Sequence, residues 1–146
     1  YTRCQTVCLS LGSTFQQLQS SLQRDRSTQA VGALITTTES AGGRVRLLSL
    51  SFDGGYDTPA RLQAYAQKLE ADPVVWQLAR VPDIAQNALL LHRLGVVVVP
   101  DGRGDYEHNA ALLVVDDQGR LVRIFDQAEQ QLALDYARDL AQRQLP

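Results

Sequence analysis

The alternation of short apolar runs with segments of helical periodicity is the feature of this sequence that most constrains its fold. Strand-like runs occupy residues 44–52, 74–78 and 96–99, and helical periodicity marks residues 11–22, 58–69, 82–94 and 132–140. Because strands that alternate with helices pair best in one sheet covered by those helices, the pattern predicts an α/β domain with a central sheet. Residues 110–125 predict a hairpin, since two apolar runs flank the turn sequence Asp-Asp-Gln-Gly.

Each predicted helix carries one apolar face, which indicates the side that packs on the sheet. The four faces consist of Leu11, Phe15, Leu18 and Leu22; Leu62, Tyr65, Ala66 and Leu69; Ile84, Ala88 and Leu91; and Leu132, Tyr136, Ala137 and Leu140. Thr58 is the expected N-cap of the second helix, with Pro59 at its first position. Residues 31–41 fit either a helix tail or a strand, and residues 100–107 are expected to form a loop.

Length and charge exclude several classes of function. The chain has 146 residues, which predicts a single domain over 1–146, and its formal net charge of −2 gives no basic surface for nucleic acid. The sequence contains no run of 18 apolar residues that could span a membrane. It opens on Tyr1 with a cysteine almost at once, and we therefore expect an upstream part, with any membrane anchor, to be missing.

The two cysteines, Cys4 and Cys8, lie four residues apart just before the first predicted helix. A helix N-terminus carries positive potential, which favours the thiolate, and the thiolate is both the nucleophile and the metal ligand. Two soft thiolates favour Cu(I), zinc or an iron–sulfur cluster. A disulfide or two inert thiols is the alternative, but so short a disulfide loop would stabilise the fold weakly. The pair is therefore predicted to be redox-active or metal-binding.

Two cysteines are too few for a closed structural zinc site, so further ligands must come from elsewhere in the chain. Only His92 and His108 are histidines. His92 falls late in the third predicted helix, which favours a surface position near its C-terminus. His108 follows a loop and immediately precedes an apolar strand, at the kind of strand end where an α/β sheet presents ligands. We expect His108, and not His92, to belong to the site.

These residues resemble the Sco/SenC family of copper proteins. The resemblance rests on four segments, in order: Tyr1-Thr2-Arg3-Cys4-Gln5-Thr6-Val7-Cys8; Ser49-Leu50-Ser51-Phe52-Asp53 with Tyr56-Asp57-Thr58-Pro59; Trp76; and Tyr106-Glu107-His108-Asn109 with the following strand and Gly119-Arg120. Together they span about residues 1–125. The sequence departs from the family pattern at Gly54-Gly55, where the family usually has Pro after the aspartate.

The resemblance implies a thioredoxin-like fold, with a central mixed β-sheet flanked by helices and here lacking its N-terminal strands. It implies that Cys4, Cys8 and His108 bind one copper ion, Cu(I) or Cu(II). Family members help to metallate the dinuclear copper centre of cytochrome c oxidase subunit II, or reduce the cysteines of that centre. Subunit II, or another copper-accepting protein, is therefore the implied partner. The implied location is the bacterial periplasm, through an N-terminal membrane anchor.

Alternatives to a copper-binding assembly factor remain open from the residues. A thiol–disulfide oxidoreductase would need only the Cys4 and Cys8 redox pair, although such enzymes more usually carry CxxC. A peroxidase-like or sensory relative would use one reactive cysteine. Asp53, at a neighbouring strand end, is expected either to support the metal site as an additional or outer ligand or to cap a turn. Enzymatic activity is thus left open, with disulfide reduction as the candidate reaction.

Overall fold

The computed structural model describes residues 1–4, 7–32 and 44–143, and in the first helix it places the side chains of residues 10–26. In chain order the elements are α1 (Val7–Gly32), β1 (Leu47–Ser51), α2 (Pro59–Lys68), β2 (Trp76–Arg80), α3 (Ile84–Arg93), β3 (Val98–Pro100), β4 (Tyr106–His108), β5 (Leu112–Val115), β6 (Leu121–Phe125) and α4 (Gln130–Arg143). A short 3₁₀ turn, Gln127–Glu129, leads into α4. Residues 33–41 of the ambiguous segment lie outside the described residues.

The strands form three two-stranded ladders within the described part of the chain. β1 and β2 pair in parallel from Leu47↔Trp76 to Ser51↔Arg80. β3 pairs with β4 antiparallel, and β5 with β6 antiparallel, the latter with an irregularity between Val114 and Val115. Parallel and antiparallel pairing with interleaved helices confirms the predicted mixed α/β class and the hairpin over residues 110–125. The described strands do not join in one continuous ladder.

The core lies where α1 and α4 meet the β5–β6 hairpin. Its buried members are Leu18, Leu22, Val75, Leu112, Phe125, Ala133 and Leu134, with Phe15 and Tyr136 packed against them. The apolar face predicted for the first helix is thereby confirmed at Leu18 and Leu22. Trp76 is only 2% exposed; it packs on Phe15, and its Nε1–H donates to Ser49 Oγ. None of the described helices is long and apolar enough to cross a bilayer.

Two helix faces differ from the sequence prediction. On α3 the predicted inward residue Ile84 is 86% exposed, and the buried residue is Asn87. Asn87 turns inward because its Nδ2 donates to the backbone oxygen of Phe52, 2.9 Å away, at the end of β1. On α4, Leu132 is 59% exposed, and Ala133 and Leu134 are buried instead. In both helices the inward face is set by partners that are distant in sequence.

Two strands begin two residues later than predicted. Ahead of β2, the backbone N–H groups of Val75 and Trp76 both donate to the Asp72 carbonyl oxygen, which forms a turn where a strand was expected. Ahead of β3, the Asn109 side chain accepts from Val97 N and donates to the Gly95 oxygen. The backbone bonds to Asp72 and the side-chain bonds of Asn109 both take backbone groups that a strand ladder would use.

The helix start at Thr58 is as predicted. Thr58 has an extended backbone, its Oγ1 accepts from Arg61 N, and Pro59 is the first helical residue. The first helix begins at Val7, so Cys8 lies inside it, whereas the sequence predicted both cysteines to lie just before that helix. The predicted loop over residues 100–107 is also partly wrong, because Tyr106–His108 form the short strand β4 against β3. A three-residue strand with a charged central residue is too short to show the alternation of apolar and polar residues by which a strand is recognised.

Candidate metal centre

The residues ahead of Cys4 are held by hydrogen bonds to the loop that follows β1. The backbone N–H of Thr2 donates to Asp57 Oδ2 at 3.0 Å, and its hydroxyl donates to Asp57 Oδ1. Arg3 donates from Nε and Nη2 to Asp53 Oδ2, at 3.0 and 2.6 Å. Because both aspartates lie just past the C-terminal end of β1, the segment leading to Cys4 is fixed at that edge of the fold.

Cys4 and Cys8 differ in their structural setting. Cys4 is buried, with 6% of its surface exposed, and it lies in the segment that precedes α1. Cys8 is the second residue of α1, and its side chain is outside the described set. The positive end of α1 therefore follows Cys4 and includes Cys8, which is the environment that the sequence predicted for a reactive thiol pair.

His108 ends β4, where its imidazole is held by its own neighbour. His108 Nδ1 lies 3.0 Å from the backbone oxygen of Asn109. A carbonyl oxygen can only accept, so this contact suits the tautomer whose proton is on Nδ1, with Nε2 as the acceptor nitrogen. Metal-binding histidines are typically oriented in this way, by a backbone carbonyl on the other nitrogen. The Asn109 side chain in turn bridges to Gly95 and Val97, which fixes the end of this strand.

Two aromatic rings contact the His108 imidazole, and a third packs against both of them. The rings of Tyr1 and Phe52 have their centroids 6.0 and 5.1 Å from His108. Tyr106 contacts both Tyr1 and Phe52, each at 5.4 Å between centroids. Tyr1 and Phe52 are themselves 4.8 Å apart, and the Tyr1 hydroxyl donates to Asp105. This cluster brings the amino-terminal segment, the end of β1 and β4 together around His108.

Sequence reasoning missed this aromatic cluster, although a signal was present. Tyr1 precedes Cys4 by three residues, Phe52 directly precedes Asp53, and Tyr106 precedes His108 by two. Residues two apart on a strand point to the same face, so a strand over residues 106–108 places Tyr106 and His108 on one side. The polar, glycine-containing sequence of residues 100–107 predicts a loop instead, and a loop has no such faces.

The Asp53 side chain is paired with a positively charged side chain of the protein. Its carboxylate is 8% exposed and forms an ion pair with Arg3 at 2.6 Å. The hydrogen bond to Asp53 raises the pKa of the Arg3 guanidinium above its usual value, and Arg3 also stacks 4.4 Å from the Tyr56 ring centre. The backbone oxygen of Asp53 accepts from Tyr56 N and Asp57 N, so its main chain forms the turn. The outer-ligand role of Asp53 stays a prediction.

Gly54, within that turn, is required by close approach. A Cβ at residue 54 would lie 2.8 Å from the backbone oxygen of Val81, whereas one at Gly55 would meet nothing within 4 Å. Arg80 Nη1 donates to the Gly54 oxygen, which ties the turn to the end of β2. The glycine at the position where the family usually has proline thus allows the β1 and β2 ends to touch.

The predicted ligands are only partly described by the structure. Among the side chains that it places, no group of three or more His, Cys, Asp or Glu could hold a metal ion. Cys8 is outside that set, so the three-residue ligand set stays a prediction. His92 is exposed in the last turn of α3, as the sequence indicated. A thiol and an imidazole are donors that suit copper, so the residues present fit the metal that the resemblance implies.

Comparison with known proteins identifies the family of this chain. A lipoprotein of the SCO1/SenC family from Bacillus anthracis superposes with a TM-score of 0.76 at 20% identity, covering 97% of this chain and 77% of that one. ScoI of Bradyrhizobium japonicum, solved with copper bound, gives a TM-score of 0.67 at 22% identity, covering 96% and 80%. No curated protein sequence matches significantly. These likenesses show a thioredoxin-like fold. The SCO1/SenC family profile matches residues 1–142, and the chain therefore belongs to the SCO1/SenC family.

Proposed function

We propose that this protein binds one copper ion through Cys4, Cys8 and His108 and hands it on as an assembly factor. The observation that carries the proposal is the convergence at the end of β1, where the segment bearing Cys4 packs through Tyr1 against His108. A copper-bound structure of the relative ScoI supports the choice of metal. Two thiolates and an imidazole form a soft donor set of the kind that selects Cu(I).

The residues around the proposed ligands have positioning roles. Asp57 and Asp53 anchor Thr2 and Arg3, which limits the movement of Cys4. Asn109 orients the His108 ring so that Nε2 is the binding nitrogen. The rings of Tyr1 and Phe52 pack against the imidazole and cover part of it. Copper is then the protein's cargo. Its three proposed ligands lie in the anchored segment, at the start of α1 and on β4, and they do not form a closed cage.

The Cys4 and Cys8 pair also supplies a redox reaction. Oxidation of the two thiols to a disulfide releases two protons and two electrons, and it removes both sulfur ligands from the metal site. A reduced pair could pass those electrons to a disulfide of a partner protein, with the protons ending on the partner's thiols. Copper loading and the thiol state are therefore coupled, and the same residues serve thiol–disulfide reduction if copper is absent.

We further propose the dinuclear copper centre of cytochrome c oxidase subunit II as the client, with another copper-accepting protein as the alternative. Both proposed reactions, copper delivery and reduction of cysteines, are what such a centre needs during assembly. The Bacillus anthracis relative is a lipoprotein, which supports a membrane-anchored location facing the periplasm for this chain.

Titration of the fully reduced protein with Cu(I), in competition with a chelator of known affinity, tests the ligand set. We expect one equivalent to bind, and Cys4→Ala, Cys8→Ala and His108→Ala each to weaken binding by more than about 100-fold, since even changes to outer-shell partners cost 10–100-fold. His92→Ala is the matched control and should bind as the unaltered protein does, because His92 is exposed on α3.

The outcomes separate the competing functions. Normal copper binding by His108→Ala would show the three-residue ligand set to be wrong. If no variant and no unaltered protein binds copper, while the reduced protein reduces a model disulfide, the oxidoreductase function replaces copper delivery.

A further inference from the structure

The peptide bond between Phe52 and Asp53 joins the two parts of the candidate metal centre. The Phe52 ring lies 5.1 Å from the His108 imidazole, centroid to centroid, whereas the Asp53 carboxylate pairs with Arg3, the residue next to Cys4. Two adjacent residues therefore contact both segments that bear proposed ligands. The placement of the peptide unit between them sets where His108 lies relative to Cys4.

This peptide unit lies just past the parallel ladder and is held by side chains. The last paired residues of the ladder are Ser51 and Arg80. The Asp53 N–H donates to Ser51 Oγ, 3.1 Å away, and the Phe52 carbonyl accepts from Asn87 Nδ2 at 2.9 Å. Both polar groups of the unit are thus satisfied without a neighbouring strand, and its carbonyl depends on a side chain of α3.

Asn87 is a costly residue for the inward side of a helix. It is 9% exposed, and its Oδ1 has no hydrogen-bond partner among the groups that the structure describes. A buried acceptor without a donor lowers stability. Leucine, of similar size, would remove that unpaired acceptor but leave the Phe52 carbonyl without its donor, so the two effects on stability oppose each other. The benefit of asparagine therefore lies in the placement of Phe52 rather than in the stability of α3.

We propose that Asn87 is a positioning residue of the candidate metal centre and acts by holding the carbonyl of Phe52. This hydrogen bond keeps the Phe52 ring against His108 and, through the next residue, keeps the Asp53 carboxylate on Arg3. The centre thereby extends to α3, a helix that contributes none of the proposed ligands. The expected effect on copper affinity rests on the proposed function, whereas the effect on ring packing can be measured without metal.

The test compares Asn87→Leu with Gln86→Leu, which changes the exposed amide next to it on the same helix. In competition with a Cu(I) chelator, reduced Asn87→Leu should bind at least about tenfold more weakly, the lower end of the loss from changes behind metal ligands. Gln86→Leu should bind as the unaltered protein does. Urea unfolding gives the folded fraction of each variant. Because apparent affinity scales with the competent fraction, a variant that is more than about 99% folded loses almost no affinity by unfolding.

The NMR signals of the His108 ring protons give a second readout, on the metal-free protein. The rings of Phe52 and Tyr1 lie 5.1 and 6.0 Å from the imidazole, so their ring currents contribute to the positions of these signals. We expect the signals to move in Asn87→Leu and to stay in place in Gln86→Leu. A role of Asn87 in stability alone would leave both the signals and the affinity of the folded protein unchanged.

Unaltered affinity in folded Asn87→Leu would overturn the proposal, as would a tenfold loss with unmoved His108 signals, because that loss would bypass Phe52. If Asn87→Leu does not fold, Phe52→Leu keeps the backbone bond to Asn87 and removes the ring. It should show the same loss and the same shift, and normal affinity there would also overturn the proposal. Failure of the proposed function looks different, since the unaltered protein and Gln86→Leu would then bind no copper either, and the His108 signals would decide the role of Asn87.

Discussion

At the scale of single residues, Asp57 connects the amino-terminal segment to the sheet. Its side chain is fully buried and accepts hydrogen bonds from Thr2 N, from the Thr2 hydroxyl and from Ser51 Oγ. A buried carboxylate needs such donors, because burying an unpaired charge is very costly. Its role is therefore to convert the loop after β1 into an anchor for the residues that lead to Cys4.

Replacement of Asp57 by Ala should destabilise the fold and loosen that segment. The three donors lose their acceptor, and we expect the free energy of unfolding to fall by about 3 kcal/mol, since hydrogen bonds to charged groups contribute about 1.5–3 kcal/mol each. Urea unfolding measures the change. Asp139→Ala is the control, because Asp139 forms an exposed helix pair with Arg143 that contributes no more than about 0.5 kcal/mol. Similar losses in the two variants would contradict the anchoring role.

The role of a single residue could be predicted from the sequence when its partners lie close to it along the chain. His92 was correctly assigned to the surface because its position late in an amphipathic helix decides its exposure. Thr58 was correctly assigned as a cap because its acceptor bond reaches only three residues along the chain. Thr2 and Arg3, which donate to Asp57 and Asp53, lie at least 50 residues away, and no local sequence pattern predicts these contacts.

At the scale of elements, the β5–β6 hairpin is closed by a single carboxylate. Asp116 Oδ1 accepts from Gln118 N and Arg120 N, while Oδ2 accepts from the Arg120 guanidinium. Gly119, with a φ of 77°, supplies the left-handed residue that the turn requires. The hydrogen bond from the Arg120 backbone N–H, with the Arg120 side chain and Gln118 N adding to it, lowers the pKa of Asp116 below 3.8.

This depressed pKa has a defined consequence for stability at low pH. The ionised carboxylate is favoured in the folded state, so its contribution is present above about pH 4 and is lost as pH falls through the lower folded-state pKa. Asp116→Asn should therefore be less stable than the unaltered protein at pH 6, with the difference in melting temperature shrinking towards about pH 3. Asp139→Asn, in an exposed pair on α4, should lie closer to the unaltered protein. A difference for Asp116→Asn that is constant with pH would contradict this account.

The sequence predicted which segments form helices and strands, but not where two of the strands begin or which residues two of the helices bury. The strand–helix alternation and the Asp-Asp-Gln-Gly turn are local signals, and they correctly predicted the α/β class and the hairpin. The predicted starts of β2 and β3 were two residues too early, because bonds to Asp72 and Asn109 occupy backbone groups of the expected strands. The inward turn of Asn87 in place of Ile84 depends on the Phe52 carbonyl, which only the tertiary fold brings near.

At the scale of the whole molecule, stability should depend on the proposed cargo. A ligand that binds the folded state alone raises the free energy of unfolding by about 2.7 kcal/mol at a free concentration of 100 times its Kd. Because the ligands proposed here join the amino-terminal segment, α1 and β4, they exist as a set only when the chain is folded. Copper bound at the proposed ligands would therefore link three parts of the structure.

Addition of Cu(I) to the reduced protein should raise its melting temperature, and removal by a Cu(I) chelator should reverse the shift. The rise should be absent in Cys4→Ala and retained in His92→Ala, which keeps every proposed ligand. Differential scanning calorimetry under reducing conditions measures it. An equal rise in Cys4→Ala would indicate that copper binds at other groups.

Trp76 gives the molecule an optical reporter at the end of the sheet away from the proposed copper ligands. It is the single tryptophan of the chain, and it pairs with Leu47 at the start of β1, while His108 packs against Phe52 just past that strand's other end. Five residues of strand place the two about 16 Å apart. Its indole is 2% exposed. Tryptophan emission from this chain therefore reports on the packing at that end of β1, separately from the chemistry of the thiols.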